Sequence, residues 1–129
     1  MNSSRILLVD DDDSLRLALR RALEIEGHTV VEASNGKRAL ERLNEATVDL
    51  VITDIIMPDS EGLELTLNLH KTHPHLPIIA ISGGGNWTPE FHLELARHAG
   101  ATHVLAKPFA VEELLEKIRA LSPASPLKS

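Results

Sequence analysis

Four short apolar runs in this chain each end beside a side chain that can take part in chemistry. Asp10 and Asp11 follow the first run, Asp54 and Ser82 follow the next two, and Lys107 follows the last. Runs this short and this rich in Ile, Leu, Val and Ala are typical of the buried strands of a parallel sheet. The carboxyl ends of such strands open at one edge, where ligands bind. The sequence therefore predicts that carboxylates, a hydroxyl and an ammonium group meet in one crevice.

Length, charge and cysteine content exclude or disfavour several classes of protein. A chain of 129 residues suits one domain, and 43% hydrophobic residues with only two Phe and one Trp predict an aliphatic core. The net charge of -6 disfavours direct binding to nucleic acid. The absence of cysteine excludes disulfides, thiolate zinc sites and a cysteine nucleophile. With no signal peptide and no apolar stretch near about 18 residues, we expect a cytoplasmic protein without a membrane partner.

Strand and helix patterns alternate five times, which predicts an α/β fold with a doubly wound parallel sheet. Gly27 supplies a left-handed stop after the first helix, and Asn35 is expected near the start of the second. Thr88 and Pro89 form a cap and first turn for the fourth. We expect one domain over residues 1–121, followed by a short Pro/Ser tail or linker stub over 122–129.

The third helix is the ambiguous element of this pattern. A period of two, typical of a strand, appears at four leucines: Leu63, Leu65, Leu67 and Leu69. A helical stripe also appears, at Gly62, Leu65, Thr66 and Leu69. We predict a helix, because leucine favours helices and parallel strands three and four need a crossover. Leu63 and Leu67 are then surplus to the stripe, and Leu67 is expected to be partly exposed.

The side chains expected in the crevice suit metal-assisted phosphoryl chemistry. Asp10, Asp11 and Asp54 would repel one another at neutral pH unless a cation or a proton offsets their charge. Oxygen ligands of this kind favour Mg²⁺ or Mn²⁺. Asp54 is a candidate nucleophile toward phosphorus, Lys107 would neutralise the transferred group, and the Ser82 hydroxyl would donate to one of its oxygens.

Asp12 and Asp13, the next two acidic residues, have a simpler interpretation. Negative charge at this position caps the first turn of a helix and interacts well with the helix dipole. We therefore assign these two residues to the helix rather than to the metal.

Several motifs together resemble the receiver domain of bacterial two-component response regulators. They are Val9-Asp10-Asp11, Asp54-Ile55-Ile56-Met57-Pro58 with Glu61-Gly62, Ser82-Gly83, Gly100-Ala101 and Lys107-Pro108-Phe109. The resemblance covers about residues 4–121, nearly the whole chain. It implies a flavodoxin-like fold whose five-stranded parallel sheet has the order 2-1-3-4-5, with five helices on both faces.

The resemblance also implies a role for each site residue. Asp54 would accept a phosphoryl group from a sensor histidine kinase or a histidine phosphotransfer protein. Asp11 and Asp54 would bind Mg²⁺ directly with the Ile56 carbonyl, and Asp10 would support the metal through water. Ser82 and Lys107 would sense the phosphoryl group, and the peptide bond after Lys107 would be cis. A downstream protein target would bind the face formed by helix 4, strand 5 and helix 5.

Three departures from the family pattern bear on how such a switch would work. Ser82 replaces the commoner threonine but keeps the hydroxyl. Val104 stands where the family usually has an aromatic switch residue, and His103 beside it should point to the opposite face of the sheet. Gly83-Gly84-Gly85 makes the loop after Ser82 conformationally permissive.

Two other function classes remain open from the sequence. The run Asp10-Asp11-Asp12-Asp13-Ser14 loosely resembles the nucleophile motif of haloacid dehalogenase phosphatases. A receiver-like interaction module that does not respond to phosphate is the other alternative. The leading hypothesis is a phosphoacceptor that slowly catalyses its own phosphorylation and dephosphorylation, rather than a turnover enzyme. A histidine cluster at His70, His73 and His75 is better explained as a solvated connection than as a metal site.

Overall fold

The computed structural model describes residues 3–55, 61–82 and 88–121. Five strands alternate with five helices along these ranges. The strands are β1 Arg5–Val9, β2 Thr29–Ala33, β3 Leu50–Asp54, β4 Ile78–Ser82 and β5 His103–Ala106. The helices are α1 Asp13–Ile25, α2 Gly36–Glu45, α3 Glu61–Thr72, α4 Pro89–Ala99 and α5 Val111–Leu121.

All strand pairs are parallel, and the sheet order is β2-β1-β3-β4-β5. The predicted doubly wound sheet and its order are therefore confirmed. Val9 lies beside Thr53 across the pair β1 and β3, and Asp54 lies beside Ile81 across β3 and β4. Ser82 in turn lies beside Ala106. This register brings the ends of four strands to one edge of the sheet.

Aliphatic side chains fill both sides of the sheet, as the composition predicts. The core on the side of α1 and α5 includes Ile6, Leu8, Leu19, Leu23, Ile52, Ile79, Ile81, Leu105, Leu114 and Ile118. The core under α2 and α3 includes Leu7, Val9, Ala39, Val51, Leu65, Leu69 and Ile78. Because both faces of the strands are covered, the strands read as continuous apolar runs rather than alternating ones.

The predicted helix-terminal residues cap their helices in the structure. Asp12 accepts a hydrogen bond from the Leu15 N–H at 3.1 Å, so it is the N-cap of α1. Asn35 and Thr88 are the N-caps of α2 and α4. Gly27 ends the α1 region with a φ of 97°. Side-chain oxygens thus satisfy backbone donors that have no partner within the helix.

The ambiguous third element is a helix, α3, as predicted. Leu65, Thr66 and Leu69 are buried, and Leu67 is 42% exposed. The expectation that Leu63 is surplus was wrong, since it is half-buried against a small cluster formed by Ile55, Ala80 and Ala96. The buried stripe of α3 is therefore wider than the four residues of the predicted pattern.

Some of the sequence predictions fall on residues outside the described ranges. These are the tail over 122–129, the Gly83-Gly84-Gly85 loop and the Ile56 carbonyl. Within the described ranges, no helix has both the length and the apolar character needed to cross a bilayer.

Candidate functional site

Lys107 and Asp54 meet at the carboxyl edge of the sheet. Asp54 is the last residue of β3 and is only 4% exposed. The Lys107 Nζ donates to Asp54 Oδ2 at 3.1 Å, although 53 residues separate the two in sequence. The Lys107 N–H donates to the Ser82 carbonyl at 2.7 Å, which anchors the lysine beside β4. The peptide bond between Lys107 and Pro108 is cis, as the resemblance implied.

Asp54 also belongs to an acidic cluster of three carboxylates. Asp10, Asp11 and Asp54 each offer one oxygen, and these oxygens lie within 4.8 Å of one another. Asp10 is buried and Asp11 is exposed. The Asp12 N–H donates to Asp10 Oδ1 at 2.9 Å. Among the described residues, none forms a hydrogen bond with the buried Asp10 Oδ2.

The environment opposes the ionised form of Asp10. Burial raises the pKa of Asp10, and the negative charges of Asp54 and Asp11 act in the same direction. The hydrogen bond from the Asp12 N–H and the positive charge of Lys107 oppose that rise without cancelling it. A carboxylate held in this way gains stability from any cation that reaches it.

The acidic cluster has the opposite effect on Lys107. Burial works to lower the pKa of Lys107, but the hydrogen bond from its ammonium group to Asp54 and the charges of Asp54, Asp10 and Asp12 outweigh it. The net shift is upward, so the ammonium stays charged at neutral pH. At neutral pH the site therefore holds one cationic side chain, Lys107, among its carboxylates.

Ser82 is the last residue of β4, and its hydroxyl is buried. It is 1% exposed, and its Oγ has no hydrogen-bond partner within the described part of the chain. A buried hydroxyl without a partner costs free energy. An acceptor oxygen arriving at the carboxyl edge would satisfy this group.

The donor set suits a hard divalent cation. Carboxylate oxygens are the ligands that Mg²⁺ and Mn²⁺ prefer, and the buried Asp10 Oδ2 has unused acceptor capacity. Asp12 caps α1, and Asp13 pairs with Arg16 at 2.8 Å, so both serve the helix as predicted. Within the described ranges, this is the one group of three or more acidic or histidine side chains close enough to hold a metal.

Val104 and His103 lie on opposite faces of β5, as the strand geometry predicts. Val104 is half-buried and packs against the Ile55, Ala80 and Ala96 cluster. His103 lines a shallow cavity beside α5 instead. The histidine therefore does not take the place of an aromatic residue at position 104.

Sequence reasoning missed two residues that shape the site. Arg16 donates to the Asp10 carbonyl oxygen at 2.6 Å. Gly62 lies so close to the Asp54 carbonyl oxygen and the Ile55 backbone that a Cβ there would overlap them. Gly62 was already part of the predicted helical stripe, whereas nothing local in the sequence pointed to Arg16.

Comparison with known proteins agrees with this geometry. A family model described as the response regulator receiver domain matches residues 6–119. The chain belongs to this family. The receiver fold is also that of the NtrX receiver domain from Brucella abortus, with a TM-score of 0.83 and 33% identity over 93% of this chain and 99% of that one. A CheY-like receiver domain protein from Methanospirillum hungatei JF-1 has a TM-score of 0.80 and 33% identity, covering 90% of each chain.

Curated relatives of this receiver domain are longer proteins. The chain is 40% identical over 119 residues to the response regulator MprA of Mycobacterium ulcerans (strain Agy99). This match covers 92% of the chain and 50% of the relative. The same protein in Mycobacterium leprae (strain TN) is 40% identical over 117 residues. The chain thus spans about half the length of the curated relatives it matches.

Proposed function

We propose that this receiver domain takes a phosphoryl group from a phosphohistidine onto Asp54 in a reaction that depends on Mg²⁺. The observation that carries the proposal is the 3.1 Å contact between Lys107 and a buried Asp54 that also belongs to the acidic cluster. Phosphoryl transfer needs a nucleophile, cationic groups for the phosphoryl oxygens and little other protein chemistry. These groups are found together at one edge of the sheet.

Asp11 and Asp54 would bind the metal directly, Asp10 would support it through water, and the Ile56 carbonyl would complete the protein ligands. Mn²⁺ would be an acceptable substitute, because it also prefers oxygen ligands. When bound, the cation supplies positive charge that offsets the carboxylates and the phosphoryl oxygens.

Asp54 would act as the nucleophile. One of its carboxylate oxygens forms a bond to phosphorus while the phosphorus–nitrogen bond of the phosphohistidine breaks, and the electron pair of that bond stays on the imidazole. The Lys107 ammonium group, which contacts the Asp54 carboxylate, would then contact an oxygen of the new phosphoryl group. The Ser82 hydroxyl, buried and without a partner in the described chain, would donate to a phosphoryl oxygen.

The added charge is the signal in this proposal. A phosphoryl group brings close to two negative charges, which would draw Lys107 and Ser82 toward it. The movement would bias the face of α4, β5 and α5, where a downstream protein target would bind. Val104 has no ring to rotate, so the change would be carried by backbone and packing shifts around the Ile55, Ala80 and Ala96 cluster.

The partners follow from the same reaction. The donor would be a sensor histidine kinase or a histidine phosphotransfer protein. The receiver would slowly catalyse its own phosphorylation and dephosphorylation, as a switch rather than a turnover enzyme.

The direct test is transfer of label from a phosphorylated histidine kinase in the presence of Mg²⁺. We expect wild-type protein to take up label and Asp54→Asn to take up none. Asp49→Asn is the matched control, because Asp49 lies at the opposite end of β3 and its carboxylate accepts from the Arg5 N–H at 2.8 Å. Stoichiometric labelling of Asp54→Asn would sink the assignment.

The same preparations separate the two alternatives. A receiver-like interaction module would show no Mg²⁺-dependent change in its amide spectrum when beryllofluoride, a phosphoryl mimic, is added. A haloacid dehalogenase-like phosphatase would still hydrolyse a generic phosphomonoester when Asp54 is replaced by Asn. The proposal predicts a spectral change with beryllofluoride and no such turnover.

A further inference from the structure

Arg16, in the first turns of α1, holds three different parts of the protein with one side chain. Its Nη1 donates to the Asp10 carbonyl at 2.6 Å, its Nε to Glu32 Oε1 at 2.9 Å and its Nη2 to Asp13 Oδ1 at 2.8 Å. The side chain is only 15% exposed. A planar guanidinium presents its donors in a fixed fork, so these contacts define one geometry.

Two of the three contacts lie at the two ends of the link between β1 and α1. Asp10 is at its start, where the Asp10 N–H also donates to the Ala33 carbonyl of β2 at 3.1 Å. Asp13 is at its end, as the first residue of α1. Glu32, the third partner, precedes Ala33 on β2. Arg16 therefore ties the link to the neighbouring edge strand, while the carboxylates of Asp10 and Asp11 cluster with that of Asp54 at the end of β3.

We propose that Arg16 is a positioning residue for the metal site. It fixes the backbone between β1 and α1 so that Asp10 and Asp11 present their carboxylates to Asp54. The inference rests on the proposed function, because it assumes that this acidic cluster holds Mg²⁺. The contacts described for Arg16 include the carbonyl oxygen of Asp10 but no carboxylate of the cluster, so it acts through the backbone.

Charge alone would give Arg16 the opposite effect. A positive charge near the cluster repels a divalent cation, so neutralising it would tighten Mg²⁺ binding. Loss of positioning would weaken Mg²⁺ binding, because residues around a metal's direct ligands set their orientation. The sign of the change therefore separates the two roles.

Arg20 offers a matched control on the same helix. It lies one turn further along α1, donates to Glu32 as Arg16 does, and pairs with Glu24 at 3.1 Å. None of its described contacts reaches Asp10. Arg20→Gln removes the same charge and a bond to the same glutamate, but it leaves the link between β1 and α1 untouched.

The test is calorimetric titration of Mg²⁺ into wild type, Arg16→Lys, Arg16→Gln and Arg20→Gln, after circular dichroism has shown that each is folded. Arg16→Lys keeps the charge but cannot span three acceptors. We expect both Arg16 variants to bind Mg²⁺ about tenfold more weakly than wild type, and Arg20→Gln to bind it within about twofold. Should Arg16→Gln fail to fold, Arg16→Lys decides the outcome.

Unchanged or tighter binding by Arg16→Lys, or by a folded Arg16→Gln, would overturn the inference. Equal weakening in Arg20→Gln would overturn it too, since the effect would then belong to Glu32 or to net charge. Failure of the wild type itself to bind Mg²⁺ would instead overturn the proposed function. Urea unfolding with and without Mg²⁺ adds a second readout. A merely structural role for Arg16 would lower both unfolding free energies equally, whereas positioning also reduces the gain that Mg²⁺ provides.

Discussion

Replacing Asp10 by Asn is expected to stabilise the metal-free protein. Asp10 is 1% exposed, and its Oδ2 has no hydrogen-bond partner in the described chain. Neighbouring carboxylate oxygens within 4.8 Å repel it by about 3.5 kcal/mol each at an effective dielectric of about 20. Lys107 and the Asp12 N–H offset much of this cost, and solvent screens the exposed Asp11. We expect a net gain of about 1–2 kcal/mol for Asp10→Asn, of the size that neutralising a strained site provides.

The assay is urea unfolding in a buffer that contains a chelator. A gain of that size corresponds to a rise in Tm of about 3–8 °C for a chain of this length. Glu64→Gln is the control for net charge, because Glu64 is exposed on α3 and does not belong to the acidic cluster. Its unfolding free energy should change by less than about 0.5 kcal/mol.

Added Mg²⁺ should reverse the order of the two proteins. Wild type would gain about 2.7 kcal/mol at a Mg²⁺ concentration a hundredfold above its Kd, and Asp10→Asn would gain much less. An Asp10→Asn protein less stable than wild type in the chelator would show that the Asp10 charge does not destabilise the metal-free protein. The carboxylate would then be a structural group rather than one held ready for a cation.

Three further substitutions test the ion pair at Asp54, the close packing of α3 against β3 and the titration of His28. Lys107→Met removes the cation beside Asp54, so the unfolding free energy without metal should fall by about 2 kcal/mol while Mg²⁺ binds more tightly; unchanged Mg²⁺ affinity by calorimetry would contradict this. Gly62→Ala places a Cβ against the Asp54 carbonyl, so it should lower the free energy of unfolding by about 1–3 kcal/mol and slow phosphoryl transfer. Gly100→Ala is the control: it is strained at a φ of 106° and should lower Tm, but it should leave the transfer rate unchanged. Burial lowers the pKa of His28, whose Nδ1 accepts from a backbone N–H, and the charge of a nearby glutamate opposes this only in part. The unfolded chain then binds more protons, so stability is complete above the unfolded value near 6.5 and falls as the pH drops below it. His28→Asn should lose this dependence in urea unfolding between pH 7.5 and pH 5.5, roughly one unit on either side of an ordinary histidine pKa; an identical pH profile would count against it.

The strands and the site edge could be predicted because their signals are local. Four apolar runs mark buried strands, and the parallel order brings the residues after them to one edge whatever the details of packing. The meeting of Asp54 with Lys107 across 53 residues follows from that topology. This meeting could be predicted without knowing where any helix begins or ends.

The third helix shows where local signals compete. Its leucines at a period of two would suit a strand, but the fold needs a crossover between β3 and β4. Tertiary context then decides that Leu67 is exposed while Leu63 is half-buried. The burial of Leu63 depends on Ala80 and Ala96, which belong to other elements.

The role of Arg16 and the steric need for glycine at position 62 lay beyond sequence reasoning for the same physical reason. Arginine is common on exposed helix faces, and nothing in its neighbours shows that its guanidinium reaches the Asp10 carbonyl. The need for glycine at position 62 arises from the Asp54 backbone, which approaches it only once α3 packs on the sheet. Such constraints come from contacts between elements rather than from patterns within one.

The role of Asp54 as phosphoacceptor is tested by locating the residue to which a phosphoryl group becomes attached. Wild-type protein is incubated with phosphoramidate, a small phosphodonor, with Mg²⁺ or with a chelator, and the modified residue is located by peptide mass spectrometry. We expect a single phosphoryl group on Asp54 that forms only when Mg²⁺ is present. Modification at another residue, or equal modification of Asp54 in the chelator, would contradict it.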